Sequence, residues 1–419
     1  MKETIIRGEC VRGHKIRITR EHHYTCPDCG SNLDILYDYS LLKKKVSRSL
    51  FRKSGEFSIF RYLEFFPFRF RKEDYSRLQI GWTPLYHASR LASLLHLPSL
   101  YIKDDSRQPS GSLKDRAGIM ALIHCLETGP KMIIAASTGN AASSLACLSA
   151  GLGTGNAVFV PKNIPRAKLA QLRVYGSRVI MVNGNYDSAY ELSVRATEKF
   201  GWYNRNTGFN PFTREGKKTV SYEIIEQLNW SVPDYIFVPV GDGNIISGVW
   251  KGLKDFYYAG LIRKLPRLVA VQSSGSAAVA RAFLEKRGIR PVKAGTLADS
   301  ISVDFPRDGD FALKAIIESD GLAVIVPDKE ILQAQKLLAC CQGIFIEPSG
   351  SAPLAGLMRL LKEKKISGKK SVVLLATGSG LKDIDAVLRG SGPLDRIEPD
   401  IREVERIFRK KTRSSDLFA

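Results

Sequence analysis

The sequence predicts an α/β protein: two open, twisted, mostly parallel sheets preceded by a small ribbon-like unit. Three observations predict it. From about residue 81 onward, short β-rich runs alternate with helical patterns, the order expected of parallel sheets covered on both faces. The strand candidates are too many for one small sheet, so they divide between two α/β domains. The first 40 residues carry cysteines and histidines in a pattern the rest of the chain does not share.

Length and composition agree with this class. The chain has 419 residues, and at ~150 residues per domain that is two or three domains. Charged residues are 25% and hydrophobic residues 44%, a globular balance that excludes collagen-like, disordered and disulfide-scaffold proteins. No run approaches the ~18 apolar residues of a membrane helix. Glu3 and Glu9, with no apolar segment between the start and the first cysteine, argue against a signal peptide. Cys125, Cys147, Cys340 and Cys341 fall in helical patterns, which points to a reducing, cytoplasmic setting.

The net charge is +21, from 63 Lys and Arg against 42 Asp and Glu. That excess favours acidic small molecules, nucleic acid or anionic surfaces. Part of it is local: Lys43, Lys44, Lys45, Arg48, Arg52 and Lys53 interleave with Phe51, Phe57, Phe60 and Tyr62. Basic runs with aromatics serve single-stranded RNA, but a solvated basic face is the simpler reading. Neither nucleic acid nor membrane is expected as a partner.

In chain order, residues 1–40 form the first unit. Cys26-Pro27-Asp28-Cys29 is a CxxC followed by Gly30, with Cys10 and His14 upstream. Cys10, His14, Cys26 and Cys29 would close a tetrahedral structural zinc site, while His22 and His23 read as surface residues. Residues 41–80 are a basic arm without a clean period, leading into a core over 81–387. Strands are expected at 99–103, 132–136, 157–161, 178–182, 235–240, 268–271, 323–326 and 371–376. Helices are expected at 114–127, 141–150, 187–200, 215–228 and 328–338. A smaller domain, roughly 115–215, is inserted in the larger one. Residues 388–419 form a basic appendage whose tail carries Arg409, Lys410, Lys411 and Arg413.

Ligands of open parallel sheets sit beyond the carboxyl ends of strands. Three polar or glycine-rich turns follow apolar strands there: Ser137-Thr138-Gly139-Asn140, Gly241-Asp242-Gly243-Asn244 and Thr377-Gly378-Ser379-Gly380. They read as one site assembled from distant parts of the chain. A fourth segment, Pro109-Ser110-Gly111-Ser112-Leu113-Lys114-Asp115-Arg116, leads a loop into a helix with a lysine in its first turn. The positive end of the helix dipole disfavours an ammonium there, which suits a neutral, Schiff-base-forming amine.

This segment resembles the lysine motif of fold-type II pyridoxal 5′-phosphate enzymes, whose threonine synthases read close to NPTGSFKDR. The likeness extends along residues 58–385. Gly81-Trp82-Thr83-Pro84-Leu85 resembles GNTPL, and Tyr101-Ile102-Lys103-Asp104-Asp105 resembles YVKDE. Residues 210–219 resemble NPYRLEGQKT. The resemblance implies two open-twisted α/β domains and pyridoxal phosphate held covalently by Lys114. It implies that Gly241, Asp242, Gly243 and Asn244 cradle the cofactor phosphate. It places Asn140 beside the phenolic oxygen and Thr377 at the pyridine nitrogen. A hydroxyl there leaves the ring a weaker electron sink than a carboxylate would, which suits elimination and replacement at the β- and γ-carbons. Glu347 matches a segment lining the cofactor pocket.

For substrate, the resemblance implies Ser137 and Thr138 at the carboxylate, with Ser110, Ser112 and Arg214 as further contacts. The implied reaction is that of threonine synthase: O-phosphohomoserine and water give threonine and phosphate, catalysed by a homodimer. In two places the chain departs from the family pattern. The loop at 241–244 is one residue shorter than GNAGN and carries Asp242. Thr213 stands where the family has an arginine facing the substrate phosphate. Arg214, one place later, is turned by ~100° on a helix. Lys217, Lys218, Ser110, Asn183, Asn185 and Arg166 are other candidates for that phosphate. Related readings stay open: a threonine or diaminopropionate ammonia-lyase, a cysteate synthase-like β-replacement enzyme, or an inactive paralogue that binds a partner through its basic segments. The family often carries a cysteine-rich ribbon with two CxxC pairs. Here Gly13 occupies the place of one cysteine.

Overall fold

The computed structural model describes residues 5–17, 24–162, 164, 166–389 and 396–411. His22, His23 and Arg413 lie outside them. Three sheets are present. The first is antiparallel, with β1 (Ile5–Cys10) flanked by β2 (Lys15–Ile16) and β3 (Leu33–Tyr37). The largest contains β4 (Leu85–His87) and β5 (Leu100–Asp104) at one side. The second α/β sheet follows in the chain: β6 (Ile133–Ala136), β7 (Asn156–Pro161), β8 (Arg178–Val182) and β9 (Tyr203–Asn204). The chain then returns to the largest sheet with β10 (Tyr235–Pro239), β11 (Arg267–Ser273), β12 (Leu322–Val326) and β13 (Val372–Ala376). The orders are β12-β11-β10-β13-β5-β4 and β8-β7-β6-β9. All pairings in these two sheets are parallel except β4 with β5.

The eight strands expected from apolar runs are all present. Central strands β6, β10 and β13 are buried at every position, as strands covered on both faces must be. Short β4 and β9 were not anticipated, since two or three residues are too few to show a period; nor was the N-terminal sheet. The helix expected at 215–228 is two helices, Phe212–Lys217 and Thr219–Gln227.

Residues 41–80 pack onto the core instead of standing clear of it. Phe51, Phe60 and Tyr62 are buried, and Tyr62 lies 5.0 Å from Tyr222, ring centre to ring centre. Arg61 pairs with Glu226 at 2.6 Å and lies over the Trp82 ring. These aromatics are therefore committed to the core and unavailable for stacking on bases, while Lys43, Lys44 and Lys45 point outward. Near the other end, residues Ile401–Lys411 form a helix. No described helix is long and apolar enough to cross a membrane.

Two buried contacts position the start of helix Lys114–Thr128. Arg116 is fully buried and reaches Asp105 at 2.6 Å through Nε and Glu223 at 2.8 Å through Nη2. Lys103 joins Glu223 at 2.6 Å. At Gly216, a Cβ would sit 1.8 Å from the Arg116 carbonyl oxygen. Only glycine lets helices Lys114–Thr128 and Phe212–Lys217 meet backbone to backbone.

Candidate active site

The carboxyl ends of β6, β10 and β13 open on one region with two connected cavities. The inner cavity is lined by Lys114, Asn140, residues 241–245, Ser300, Glu347 and Thr377. The outer one, a cleft of about 460 Å³, is lined by Lys114, residues 137–140, Tyr186, Arg205, Asp242 and Arg307, among others. The three turns singled out in the sequence thus meet at Lys114.

Lys114 is the first residue of its helix. Burial pushes its ammonium below the usual lysine range and Arg205 adds to this, against Asp242 and Glu347. A lysine so placed has a larger neutral fraction, as a nucleophile or proton acceptor requires. The next two residues hold it in place. Asp115 accepts from Ser110 N at 2.7 Å and from the Ser110 hydroxyl, and Arg116 is fixed as described above.

The loop after β10 starts helix Asn244–Tyr258, and no side chain caps that helix. Its first N–H groups lack intrahelical partners, so the loop offers an anion both donors and the positive end of the dipole. Gly243 has φ +91°, and a Cβ there would lie 2.7 Å from Asp308 O. Lys217 Nζ donates to Asn244 Oδ1. Burial, with Lys114 and Arg205 nearby, holds Lys217 well below the usual lysine range. Asp242 accepts from Arg307 N at 3.4 Å. Burial raises its carboxyl, against the pull of Lys114, which lessens the charge it sets beside an anion.

Asn140 opens helix Asn140–Leu152. Its Nδ2 donates to Glu347 at 2.9 Å and to Ser300 Oγ at 3.1 Å. Burial raises the Glu347 carboxyl as well. Thr377 lies at the end of β13. Gly350 opposes it closely: a Cβ at Gly350 would be 3.3 Å from Thr377 Oγ1.

Some residues proposed from the sequence lie elsewhere. Ser110 and Ser112 are buried behind Lys114 and line neither cavity. Arg214 faces the N-terminal unit, with its guanidinium committed to Leu33 O at 3.0 Å, Asp34 at 3.2 Å and Asp308. The one-residue offset from Thr213 turns it away from the cleft, as helix geometry requires. Lys218 is spent on Glu215 at 2.6 Å and Asp255 at 2.9 Å. Asn185 does line the outer cleft, where its side chain also caps helix Tyr186–Phe200, and the Arg166 side chain is outside the described residues. Lys217, one turn beyond Thr213, does reach the site. Arg205 was missed: it follows a two-residue strand and belongs to no motif.

Cys10, His14, Cys26 and Cys29 come together in the N-terminal unit, their ligand atoms all within 4.8 Å of one another. Cys10 and Cys29 sulfurs are 3.7 Å apart, and Cys26 Sγ is 3.6 Å from His14 Nδ1. Zn–S bonds of ~2.3 Å and Zn–N bonds of ~2.05 Å at tetrahedral angles give edges of about 3.8 Å and about 3.6 Å. This unit docks on the core through Asn32, which donates to Asp308 Oδ1 at 3.1 Å. Asp308 in turn accepts from Asn244 of the glycine loop at 2.8 Å.

A family model described as pyridoxal-phosphate dependent enzyme matches residues 76–378. The chain belongs to this family. Pyridoxal phosphate is its cofactor, and the site fits that group. Lys114 would hold the aldehyde, the uncapped helix start with Lys217 would meet the phosphate, and Thr377 would face the ring nitrogen.

Within the family the chain is similar to threonine synthases. It is 39% identical to that of Methanocaldococcus jannaschii over 404 residues, covering 96% of this chain and 99% of the relative. It is 35% identical to that of Methanosarcina acetivorans over 370 residues, covering 87% and 89%. Among solved structures, threonine deaminase isoform 2 from Solanum lycopersicum has a TM-score of 0.64 at 24% identity, covering 74% of this chain and 88% of that one. Diaminopropionate ammonia lyase from Escherichia coli has a TM-score of 0.65 at 17% identity, covering 76% and 91%. At such identities these two show a shared fold-type II architecture and nothing finer.

Proposed function

We propose that this pyridoxal-phosphate enzyme converts O-phosphohomoserine and water to threonine and phosphate. The observation that carries the reading is similarity to threonine synthases along nearly the whole chain, with Lys114 at the meeting point of both cavities.

The cofactor, when bound, supplies a sink for electrons at the substrate α-carbon. The Lys114 amine, whose charged form burial disfavours, takes the α-proton and then a proton from Cβ, and returns protons to Cγ and Cα. Ser137 and Thr138, at the start of helix Asn140–Leu152, bind the substrate carboxylate. The Cγ–O bond breaks and phosphate leaves, taking the bonding pair. Water then adds its oxygen to Cβ and gives up one proton to the released phosphate, while the two protons taken from Cα and Cβ are replaced by one at Cγ and one at Cα. The substrate is thus a small, anionic, phosphorylated amino acid, and the basic balance of the chain steers it inward. We place the reaction in the cytoplasm, on the reduced cysteines, and the working enzyme as a homodimer, as the family resemblance implies.

Purified holoenzyme given O-phosphohomoserine should release threonine and phosphate in equal amounts at a saturable rate. A cofactor-loaded protein that releases neither would end the substrate assignment, and phosphoserine, threonine and diaminopropionate would be assayed next.

We also propose structural zinc at Cys10, His14, Cys26 and Cys29. The purified protein should contain about one zinc per chain by elemental analysis. A Cys26→Ser variant should lose the metal and melt earlier. Metal-free protein with an unchanged melt would reject this site.

A further inference from the structure

Arg205 follows the last residue of β9 and is only 1% exposed. Its main-chain N–H is used in the sheet, donating to Ile134 O at 2.9 Å. Two of its three guanidinium nitrogens, Nε and Nη2, are buried without a hydrogen-bond partner. Tyr186 and Asp115 are the groups whose charge would favour its cation, and burial outweighs both. A buried guanidinium left this way is costly to the free protein. The cost is offset when an anion with several acceptor oxygens arrives, because the planar fork suits such anions.

Three anionic groups enter this site, and two have other hosts. The cofactor phosphate belongs to the inner cavity, with residues 241–245, and Arg205 does not line that cavity. The substrate carboxylate has the turn at 137–140. The substrate phosphate has lost the arginine that the family places at 213. Thr213 donates to Asn210 O at 2.7 Å and faces Asn244. The other arginine of the outer cleft, Arg307, is paired with Asp187 at 3.0 Å, and nearby Lys168 is paired with Asp299.

We infer that Arg205 is the receptor for the phosphate of the substrate, presented from a strand end eight residues before the position where the family places its arginine. This rests on the threonine synthase reading for the identity of the substrate, but the anion it requires can be tested separately. The guanidinium binds the phosphoryl oxygens in the ground state and stays on them as the Cγ–O bond breaks. It sets both affinity and the choice of a phosphorylated over an unphosphorylated amino acid.

The test uses holoenzyme, titrated by calorimetry with inorganic phosphate and, by the cofactor absorbance, with L-homoserine, which lacks the phosphate. Arg205→Leu should weaken phosphate binding by about 10- to 100-fold, the range for a lost charged hydrogen-bond pair. L-homoserine binding should change less than about 2-fold, and Arg205→Lys should recover part of the phosphate affinity. With O-phosphohomoserine as substrate, KM should rise more than kcat falls. Three results would overturn the assignment. One is phosphate affinity that is absent in the parent enzyme or unchanged in Arg205→Leu. Another is loss of L-homoserine binding, which would put the guanidinium on the carboxylate. The third is loss of the cofactor itself, which would put it on the cofactor phosphate. If the parent enzyme binds phosphate through Arg205 yet does not turn over O-phosphohomoserine, the anion site stands and only the substrate changes.

Discussion

Replacing Lys114 by alanine is expected to lower threonine formation by about 10³-fold or more, the largest effect of any single change at the site. In the proposed mechanism one amine would both hold the aldehyde and move the substrate protons, so its loss would remove two functions together. Lys114 sits at the wall of both cavities, so the fold should survive the change. The thermal transition of the variant should stay within about 1 kcal/mol of the parent. Cofactor should still enter through the glycine loop but absorb as the free aldehyde. Steady-state release of phosphate and threonine, read beside the absorption spectrum, checks this. Near-normal turnover would remove Lys114 from the chemistry and end the mechanism proposed above.

Arg116→Met carries the largest expected effect on stability, a loss of about 3–5 kcal/mol. The change is close in size and leaves Asp105 and Glu223 buried with one cation, Lys103, where there were two. In the parent, burial pushes the Glu223 carboxyl up, but Arg116 and Lys103 outweigh it and hold the group at about 2. A carboxyl held below its unfolded value adds stability above that value and loses it as pH falls toward the folded one. The parent should therefore weaken on acidification from about pH 4.5 to about pH 2, while Arg116→Met should show a flatter profile. Urea midpoints across that range give both readings. A midpoint shift equivalent to under about 1 kcal/mol would mean that the two carboxylates need no second cation.

Much of the architecture was legible from local pattern. Runs such as Tyr235–Pro239 and Val372–Ala376 are apolar at every position because both faces are covered, and length separates them from helices. The turns after β6, β10 and β13 could be grouped because ligands collect at strand ends. Other features depend on partners far away in sequence. Residues 41–80 looked like an arm because nothing local shows that Tyr62 will meet Tyr222 and Phe256. Arg214 was a reasonable candidate until the docking of Asp34 and the position of Asp308 were known. Arg205 leaves no periodic trace, since β9 is two residues long. The contact of Asn140 with Glu347 joins positions 207 residues apart, and only the fold brings them together.

The meeting of Gly216 with the Arg116 carbonyl has a consequence for the charges around the cofactor. Two amines of this region come from separate helices: Lys114 at the head of one and Lys217 at the foot of the other. The helices touch through bare main chain, with no side chain between them to bend or change rotamer. Their separation is therefore set by van der Waals contact between main-chain atoms, a close-packed spacing with little room to adjust. Gly216 acts as a gauge block between two electrodes. It fixes how closely Lys217 approaches Lys114, whose charge adds to burial in disfavouring the Lys217 ammonium before any ligand arrives.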